Sequence, residues 1–491
     1  MTAPTVTQTI QDKGLGAVAI ASGEVPAIFG CCSSGTVNVP KLYAGGQLKA
    51  LVADFGYGPG VEAAALHLAK GQAVIFTKLP GTTAGDEGTD GADNATDFTG
   101  TGTSVITLTG AARDTFGGSF VVVHGGTIGV AGTTFKYSLD GGRTYSPTIA
   151  LGTANTYLIP NSGITLAFAA GTLVAGDVAA FVSVEPKWAG ADLTAAVDAL
   201  AATSLKWDFI HLVGKCSATE AGSVKTILAS LESAYRYVSA VVSARPQNDA
   251  ESEATWMAAL ETDYGSFVGS RIVVGAGLVL IQSPVSQRQY LRPIAWLACV
   301  RACERGAHED LGKVKNGSLD GSLVNSSGAP IAHDERTTPG LDAARFMTAT
   351  TIVGKRGVYI TNPNTMADAG SDFELWQYRR VMDKACSATY GVLVEELSAD
   401  VRVDSATGFI LEKDALAIES AGRTALYEAL EKRGMVSPGG TAKPYGLILS
   451  RSDNILSTKT ITCATQIVPL GYVKAITNTI GFTNPALNVT T

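Results

Sequence analysis

Two apolar strand-like runs bracket a helix-patterned segment near the start of this chain, and the same alternation returns much later. Ala27-Ile28-Phe29-Gly30 reads as a buried strand. Val61, Ala64, Ala65 and Leu68 share one helical face and predict a helix from Gly60 to Lys70. Ala73-Val74-Ile75-Phe76-Thr77-Lys78 reads as a second core strand. Strand, helix, strand is the unit of a layered α/β architecture, in which helices cover the faces of a sheet.

The texture changes at about Gly81. Residues 81–104 are mostly Gly, Thr, Asp and Asn and read as a linker. Short alternating strands follow: Ser104 to Leu108, Phe120 to Val123, Phe135 to Ser138, Ile164 to Phe168 and Val178 to Val182. Asp140-Gly141-Gly142 is a hairpin-type turn. Residues 88–186 therefore read as a small all-β domain inserted into the α/β unit.

After Pro186 strands and helices alternate again. Helices are expected at Leu193 to Leu205, Thr219 to Tyr237, Ile294 to Arg305, Asp372 to Leu393 and Asp414 to Arg433. Strands are expected at Trp207 to Gly214, Val238 to Val242, Arg271 to Gly275 and Arg356 to Ile360. Residues 306–338 read as loop and edge structure.

The 491 residues are enough for about three domains. Hydrophobic residues make up 46% and charged ones 16%, too little charge for a disordered chain. The net charge of -7 argues against nucleic acid as the main partner, because phosphate binding needs a basic surface. No stretch approaches the roughly twenty apolar residues of a membrane helix. The start, Met1 to Thr7, lacks a basic region followed by an apolar run, so the cytoplasm of the producing cell is the expected place of synthesis.

Catalytic signals are thin. The chain has no GxxxxGK[ST], HExxH or GxSxG pattern. Gly275-Ala276-Gly277 follows a strand but lacks a third glycine, and reads as a turn. His308-Glu309-Asp310 and His333-Asp334-Glu335 are runs of adjacent residues whose side chains diverge on an extended loop, so solvated loops or salt bridges between subunits are expected there, not a metal site. His67 and His211 sit in apolar contexts and read as packed core histidines. The seven cysteines, Cys31, Cys32, Cys216, Cys299, Cys303, Cys386 and Cys463, match no zinc pattern. Two readings stand for them: seven buried thiols, or disulfides between subunits made by Cys31, Cys32 or Cys463. No catalytic residue, cofactor or metal is expected.

The two ends carry most of the functional information. Residues 1–25 are thin in large apolar side chains and read as an extended arm, with Val6 and Ile10 as its candidate contacts. The segment from Lys459 onward is β-like, with Ile467, Val468, Tyr472, Val473, Ile476, Ile480 and Phe482 as candidate contacts. An isolated strand satisfies its backbone only by pairing at home or by adding to the sheet of another copy.

The ordered set Trp207 to Gly214, Tyr290-Leu291-Arg292-Pro293-Ile294-Ala295, Glu304-Arg305-Gly306, Gly357 to Thr365, Ser371-Asp372-Phe373 and Tyr378-Arg379-Arg380-Val381-Met382-Asp383 resembles the contractile tail sheath proteins of phages, R-type bacteriocins and related injection systems. The strand ending Phe482-Thr483-Asn484-Pro485 fits the same pattern. The resemblance covers residues 190–490 well and 25–80 weakly. Residues 136–142 resemble β modules of phage structural proteins.

The resemblance implies an α/β (mixed α+β) sheath core of several α/β units, with an inserted all-β domain and extended β-strand terminal arms. The expected segments are an arm at 1–25, the start of the sheath core at 26–86 and a β-sandwich-like outer domain at 87–186. An α/β sheath domain at 187–345, a tube-facing α/β core at 346–458 and a β-strand arm at 459–491 complete them. It further implies a homo-oligomer of stacked rings in a helical array around a tail tube protein, with baseplate and tail terminator partners. Direct nucleic-acid contact and membrane insertion are not expected. The location would be the virion tail, assembled in the host cytoplasm, and contraction would need no nucleotide. Arg423, Glu428, Glu431, Lys432 and Arg433 become candidates for charge contacts with the tube, or a solvated helix face. Arg379, Arg380 and Asp383 become candidates for ion pairs between or within subunits. Two other readings remain: another phage tail or surface-lattice assembly protein, and an α/β enzyme with a β insert.

Overall fold

The computed structural model describes residues 24–87, 97–248, 251–319, 321–322, 332–439 and 443–482. Nearly all of the expected N-terminal arm, with Val6 and Ile10, lies outside the described residues. The chain divides into two compact units, residues 1–383 and 384–491.

The first unit opens with β1 (Pro26–Gly30), β2 (Lys41–Tyr43), α1 (Leu48–Phe55), α2 (Pro59–Ala69) and β3 (Val74–Lys78). Pro59 starts α2, where its missing N–H costs nothing. Gly30 and Gly60 allow strand and helix backbones to touch: a Cβ on Gly30 would lie 2.7 Å from the Gly60 Cα.

Ten strands follow without a helix between them. They are β4 (Asp97–Thr99), β5 (Ile106–Gly110), β6 (Gly117–His124), β7 (Gly126–Thr127), β8 (Thr134–Ser138), β9 (Ile149–Ala150), β10 (Thr156–Leu158), β11 (Ile164–Phe168), β12 (Thr172–Leu173) and β13 (Val178–Val182). The main sheets have orders β4-β13-β6-β8-β9 and β10-β11-β5. Period-2 alternation turns Phe120, Val122, Phe135, Leu166, Phe168 and Phe181 into one shared core, in which the Phe120 and Phe135 rings lie 4.7 Å apart. At the tip of β8, Gly141 and Gly142 both take positive φ (71° and 80°), while Asp140 Oδ1 accepts hydrogen bonds from Ser138 Oγ and Thr144 N.

The α/β pattern then resumes with α3 (Gly190–Ala201), β14 (Phe209–Lys215), α4 (Ala218–Ser233), β15 (Ser239–Ser243), α5 (Glu253–Tyr264) and β16 (Ile272–Gly275). Ser217 and Glu220 form a capping box on α4, and Ser252 caps α5. The hairpin β17 (Leu278–Gln282) and β18 (Gln289–Pro293) leads into α6 (Ile294–Glu304). The short pair β19 (Ala349–Thr350) and β20 (Tyr359–Ile360) precedes α7 (Trp376–Glu395).

One six-stranded sheet organises this unit, in the order β16-β15-β14-β1-β3-β2. Every pairing is parallel except β2 with β3. Alternate residues of its strands feed opposite cores. Ile28, Phe76, Phe209 and Val241 pack with α1, α2 and α6, whereas Phe29, Ile75, Leu212 and Val242 pack with α3, α4 and α5. Both faces are covered, which is why the strands are apolar throughout. Since β1 pairs β3 on one side and β14 on the other, the all-β segment is a long excursion between two strands of one sheet.

The second unit contains α8 (Glu412–Leu426), β21 (Tyr445–Leu449), α9 (Ile455–Thr458) and β22 (Cys463–Ile467). Ile410, Ala415, Ile418, Leu447 and Leu449 form its small core.

Several expectations need correction. The helix expected from Asp372 starts at Trp376. Thr365 N donates to Glu374 O and Trp376 N to Pro363 O, so the backbone just before Trp376 is committed to a bridge with 363–365. The helix expected through Arg433 is α-helical only to Leu426, and Tyr427–Glu431 widens to a π turn. Helices α1 and α5, the β17–β18 hairpin and strand β21 were not anticipated from the sequence. The long β-like tail is a strand only over Cys463–Ile467, and residues 470–482 form none.

Candidate assembly interface

The C-terminal β structure is built like an unfinished sheet. β21 buries Tyr445, Leu447 and Leu449 on one face, and Leu447 packs against α8 at Gly422. β22 pairs antiparallel with β21, from Leu449↔Cys463 to Tyr445↔Ile467. Among the described residues this sheet has two strands, and four of the five residues of β22 are exposed. A two-stranded sheet is marginal alone, and its unpaired edges are templates for further strands.

Ile467 is therefore engaged at home. Val468 N donates to Pro444 O and Ser437 N to Val468 O, which fixes the root of the tail. Beyond it the apolar side chains face solvent: Val468 is 55% exposed, Val473 77%, Ile476 85%, Ile480 87% and Phe482 fully. Ile476, Ile480 and Phe482 would share one face of an extended strand, since successive residues alternate sides. Large apolar side chains left in water in this pattern make the segment a candidate contact surface. Tyr472, on the same segment, is half-buried.

The chain leaving the N-terminal end of the first unit is anchored. Val25 N donates to Asp208 Oδ2 at 2.8 Å, and Asp208 N returns a bond to Val25 O. Glu24 pairs with Arg380, whose Nη2 also donates to Ala302 O at 2.9 Å. The Arg380 guanidinium lies 4.9 Å from the Trp376 ring. Glu24 and Asp208 were not singled out by sequence; a lone acid flanking an apolar strand is the only trace they leave.

Arg379, Arg380 and Asp383 are all buried, and their ion pairs lie within the chain. Arg271, just before β16, donates Nη1 to Asp383 Oδ1 (2.8 Å) and grips Glu232 with Nη2 (2.6 Å) and Nε (3.0 Å). Arg379 Nε reaches the same Asp383 oxygen at 3.0 Å. Burial works against the Asp383 carboxylate, while the two guanidiniums favour it. These side chains are not surface charges.

The five charges of the α8 region lie on the second unit and are paired locally where they pair. Arg423 meets Glu419 at 3.2 Å and Lys432 meets Glu428 at 2.6 Å, both one turn apart. Glu431 accepts from Tyr445 Oη and lies 3.3 Å from Lys443, and hydrogen bonding to Tyr445 leads in holding its carboxyl below the usual range. Arg433 is exposed. Exposed pairs of this kind contribute little to stability and leave the helix face available.

Of the three candidate cysteines only Cys463 is exposed. Cys31 is 3% exposed, and burial pushes its thiol up to about 12, so it is a poor partner for a disulfide between subunits. Cys32 is partly buried and is raised to about 11, chiefly by the same cause.

His333 and Glu335 depart from expectation. Their side chains converge: His333 Nε2 is 3.0 Å from Glu335 and Nδ1 is 2.8 Å from Glu253 of α5. Residues i and i+2 of an extended loop share a side, while Asp334 between them turns to Thr351. Burial opposes protonation of His333, but the bonds to the two glutamates raise its pKa. His67 and His211 are fully buried in the core. Among the described residues no group of three His, Cys, Asp or Glu side chains is placed to hold a metal ion. No helix of the described residues is long and apolar enough to cross a membrane.

The architecture is a layered α/β core that carries an all-β module, with a smaller second unit after it. The family described as DUF2586, N-terminal domain, matches residues 3–364, and the chain belongs to that family. No curated protein matches it. Among solved structures it is similar to the helical sheath of the anti-feeding prophage in its contracted state, with 10% identity, a TM-score of 0.50, and coverage of 98% of this chain and 99% of that one. It is equally similar to the sheath complex of an extracellular contractile injection system, PVC, in its contracted state, with 10% identity, a TM-score of 0.51, and coverage of 99% and 98%. A sheath tail protein from Listeria innocua matches at 13% identity and a TM-score of 0.45, over 92% of this chain and 97% of that one. The mixed α/β fold of the described residues is the one these contractile sheath structures share.

Proposed function

We propose that this chain is the structural subunit of a contractile tail sheath and that it acts by assembly, not by catalysis. Subunits would stack as rings in a helical array around an inner tube, with baseplate and tail terminator proteins at the ends. The observation that carries this reading is the conjunction of a sheath fold with an exposed apolar tail, Val473 to Phe482, beside a two-stranded sheet with free edges. The tail of one copy, and the segment preceding Glu24, would add strands to the sheets of neighbours. Those linkages would hold while subunits rotate as rigid bodies, driving the tube through a cell envelope. The α8 face with Arg423, Glu428, Lys432 and Arg433 would meet the tube, and the β module would project outward. The product would reside in a virion tail or a related injection particle, assembled in the cytoplasm of the producing cell.

Negative-stain electron microscopy of the full chain tests this, with the tube protein present. The expected product is hollow striated cylinders. The variant Ile476→Asp/Ile480→Asp/Phe482→Asp should keep the melting temperature and lose the cylinders. Cylinders that survive this change would remove the tail from the linkage. A uniform monomer from the unaltered chain would reject the sheath reading.

A further inference from the structure

A cavity of about 230 Å³ lies where the β module meets the α/β core. Its carboxylates are already engaged. Asp114 is held by both terminal nitrogens of Arg292, and Glu62 accepts from Ser283 Oγ at 2.6 Å. Burial raises the Glu62 carboxyl to about 7, which weakens its competition with an incoming anion.

The arginines on its wall have no carboxylate partner among the described residues. Arg288 Nη1 is sealed from solvent without a hydrogen-bond partner, and the guanidinium sits 5.4 Å from the Tyr137 ring. Arg113, on the module side, has no carboxylate partner among the described residues. Asn161, Ser286 and Tyr57 add hydrogen-bonding groups to the same wall. A buried guanidinium nitrogen left without an acceptor is costly, and the planar fork of arginine matches an oxyanion. The volume falls below the ~300 Å³ at which drug-sized pockets begin, which limits the occupant to a small solute.

We propose that this cavity binds a small oxyanion-bearing solute, a carboxylate or a phosphate, through Arg288 and Arg113. The bound anion would tie the module to the core. This inference stands whether or not the chain forms a sheath.

Thermal melts of the full chain test it, with inorganic phosphate, with glutarate, and with sodium chloride at matched ionic strength. One of the two oxyanions should raise the melting temperature saturably above the chloride control, and which one does so identifies the source chemistry. Arg288→Gln should weaken the Kd by about ten-fold or more, as expected for loss of a charge-assisted pair. Arg113→Gln, at an exposed position where folding is not at stake, should weaken it as well. The proposal is overturned if neither oxyanion exceeds chloride, or if Arg113→Gln leaves the Kd unchanged.

Discussion

Arg292 grips Asp114 through two parallel hydrogen bonds, Nη1 to Oδ1 at 2.8 Å and Nη2 to Oδ2 at 2.5 Å, with both side chains about 95% buried. The arginine comes from β18 of the α/β core and the aspartate from the loop before β6 of the β module. The guanidinium is packed 4.7 Å from the Tyr290 ring and 5.3 Å from the Trp296 ring. Burial alone would lower the Arg292 pKa, but the surrounding carboxylates, Asp114 foremost, raise it. The pair fixes the module to the core from inside.

Breaking that clamp on one side leaves a buried charge alone. Arg292→Met should destabilise the chain by about 3–5 kcal/mol in urea unfolding. Asp114→Leu/Arg292→Met should cost less than the sum of the two single changes, because neither charge is then stranded. Additive losses would show that the pair is not a coupled unit.

Buried histidines set an acid limit. Burial lowers His67 to about 4 and His211 to about 3, from an ordinary 6.5. The unfolded chain therefore takes up protons as pH falls below 6.5 while the folded chain does not, and stability is lost from there down through about 4. Neither ring nitrogen of His211 has a hydrogen-bond partner, so His211→Leu should shrink the fall in urea midpoint on acidification without loss at neutral pH. An unchanged acid limb would exclude His211 as its cause.

Glu62 acts with the opposite sign. Burial raises it from 4.5 to about 7, against Arg292 and Ser283 and with the help of Asp114. The folded chain holds this proton between those values, so stability falls as pH rises from 4.5 to 7. Glu62→Gln should remove that part of the slope, read from urea midpoints across the window; a slope identical to the unaltered chain would refute the assignment.

The root of the N-terminal segment depends on Arg380. In Arg380→Met, Glu24 and Ala302 O lose their donor. Amide exchange at Val25 should accelerate, and stability should fall by about 3 kcal/mol. Protection at Val25 unchanged from the parent would mean that Asp208 alone anchors the segment.

Thiol labelling separates the cysteines. Cys463 should react with a maleimide in the native monomer, while Cys31, Cys216, Cys299 and Cys303 stay protected until unfolding. In assembled cylinders Cys463 should become protected, since β22 would gain a neighbouring strand. Labelling of Cys463 at the same rate in both forms would argue against strand addition at that edge.

Much of this molecule is legible in the order of its residues. Fully apolar runs such as Ile272-Val273-Val274 announce strands covered on both faces, and alternation over Phe120 to Val122 announces a half-exposed one. Such local patterns set element type because side-chain period follows backbone geometry. They also exposed the tail, because Ile476, Ile480 and Phe482 form an apolar set with no core of its own.

What the sequence could not decide is which distant groups meet. Arg380 looks like any surface arginine until α7 packs and brings it to Glu24, 356 positions away. His333 looks solvated until α5 delivers Glu253 from 80 positions away. Cys31 and Cys463 are chemically alike along the chain, and burial, with Glu185 beside it, makes the first inert. The tail reads as one strand, yet the ladder with β21 spans Cys463–Ile467 and single contacts at Val468 and Pro469 end the pairing. Periodicity is a local property and was present in the sequence; desolvation and charge pairing are properties of the packed state, so only the tertiary structure determined them.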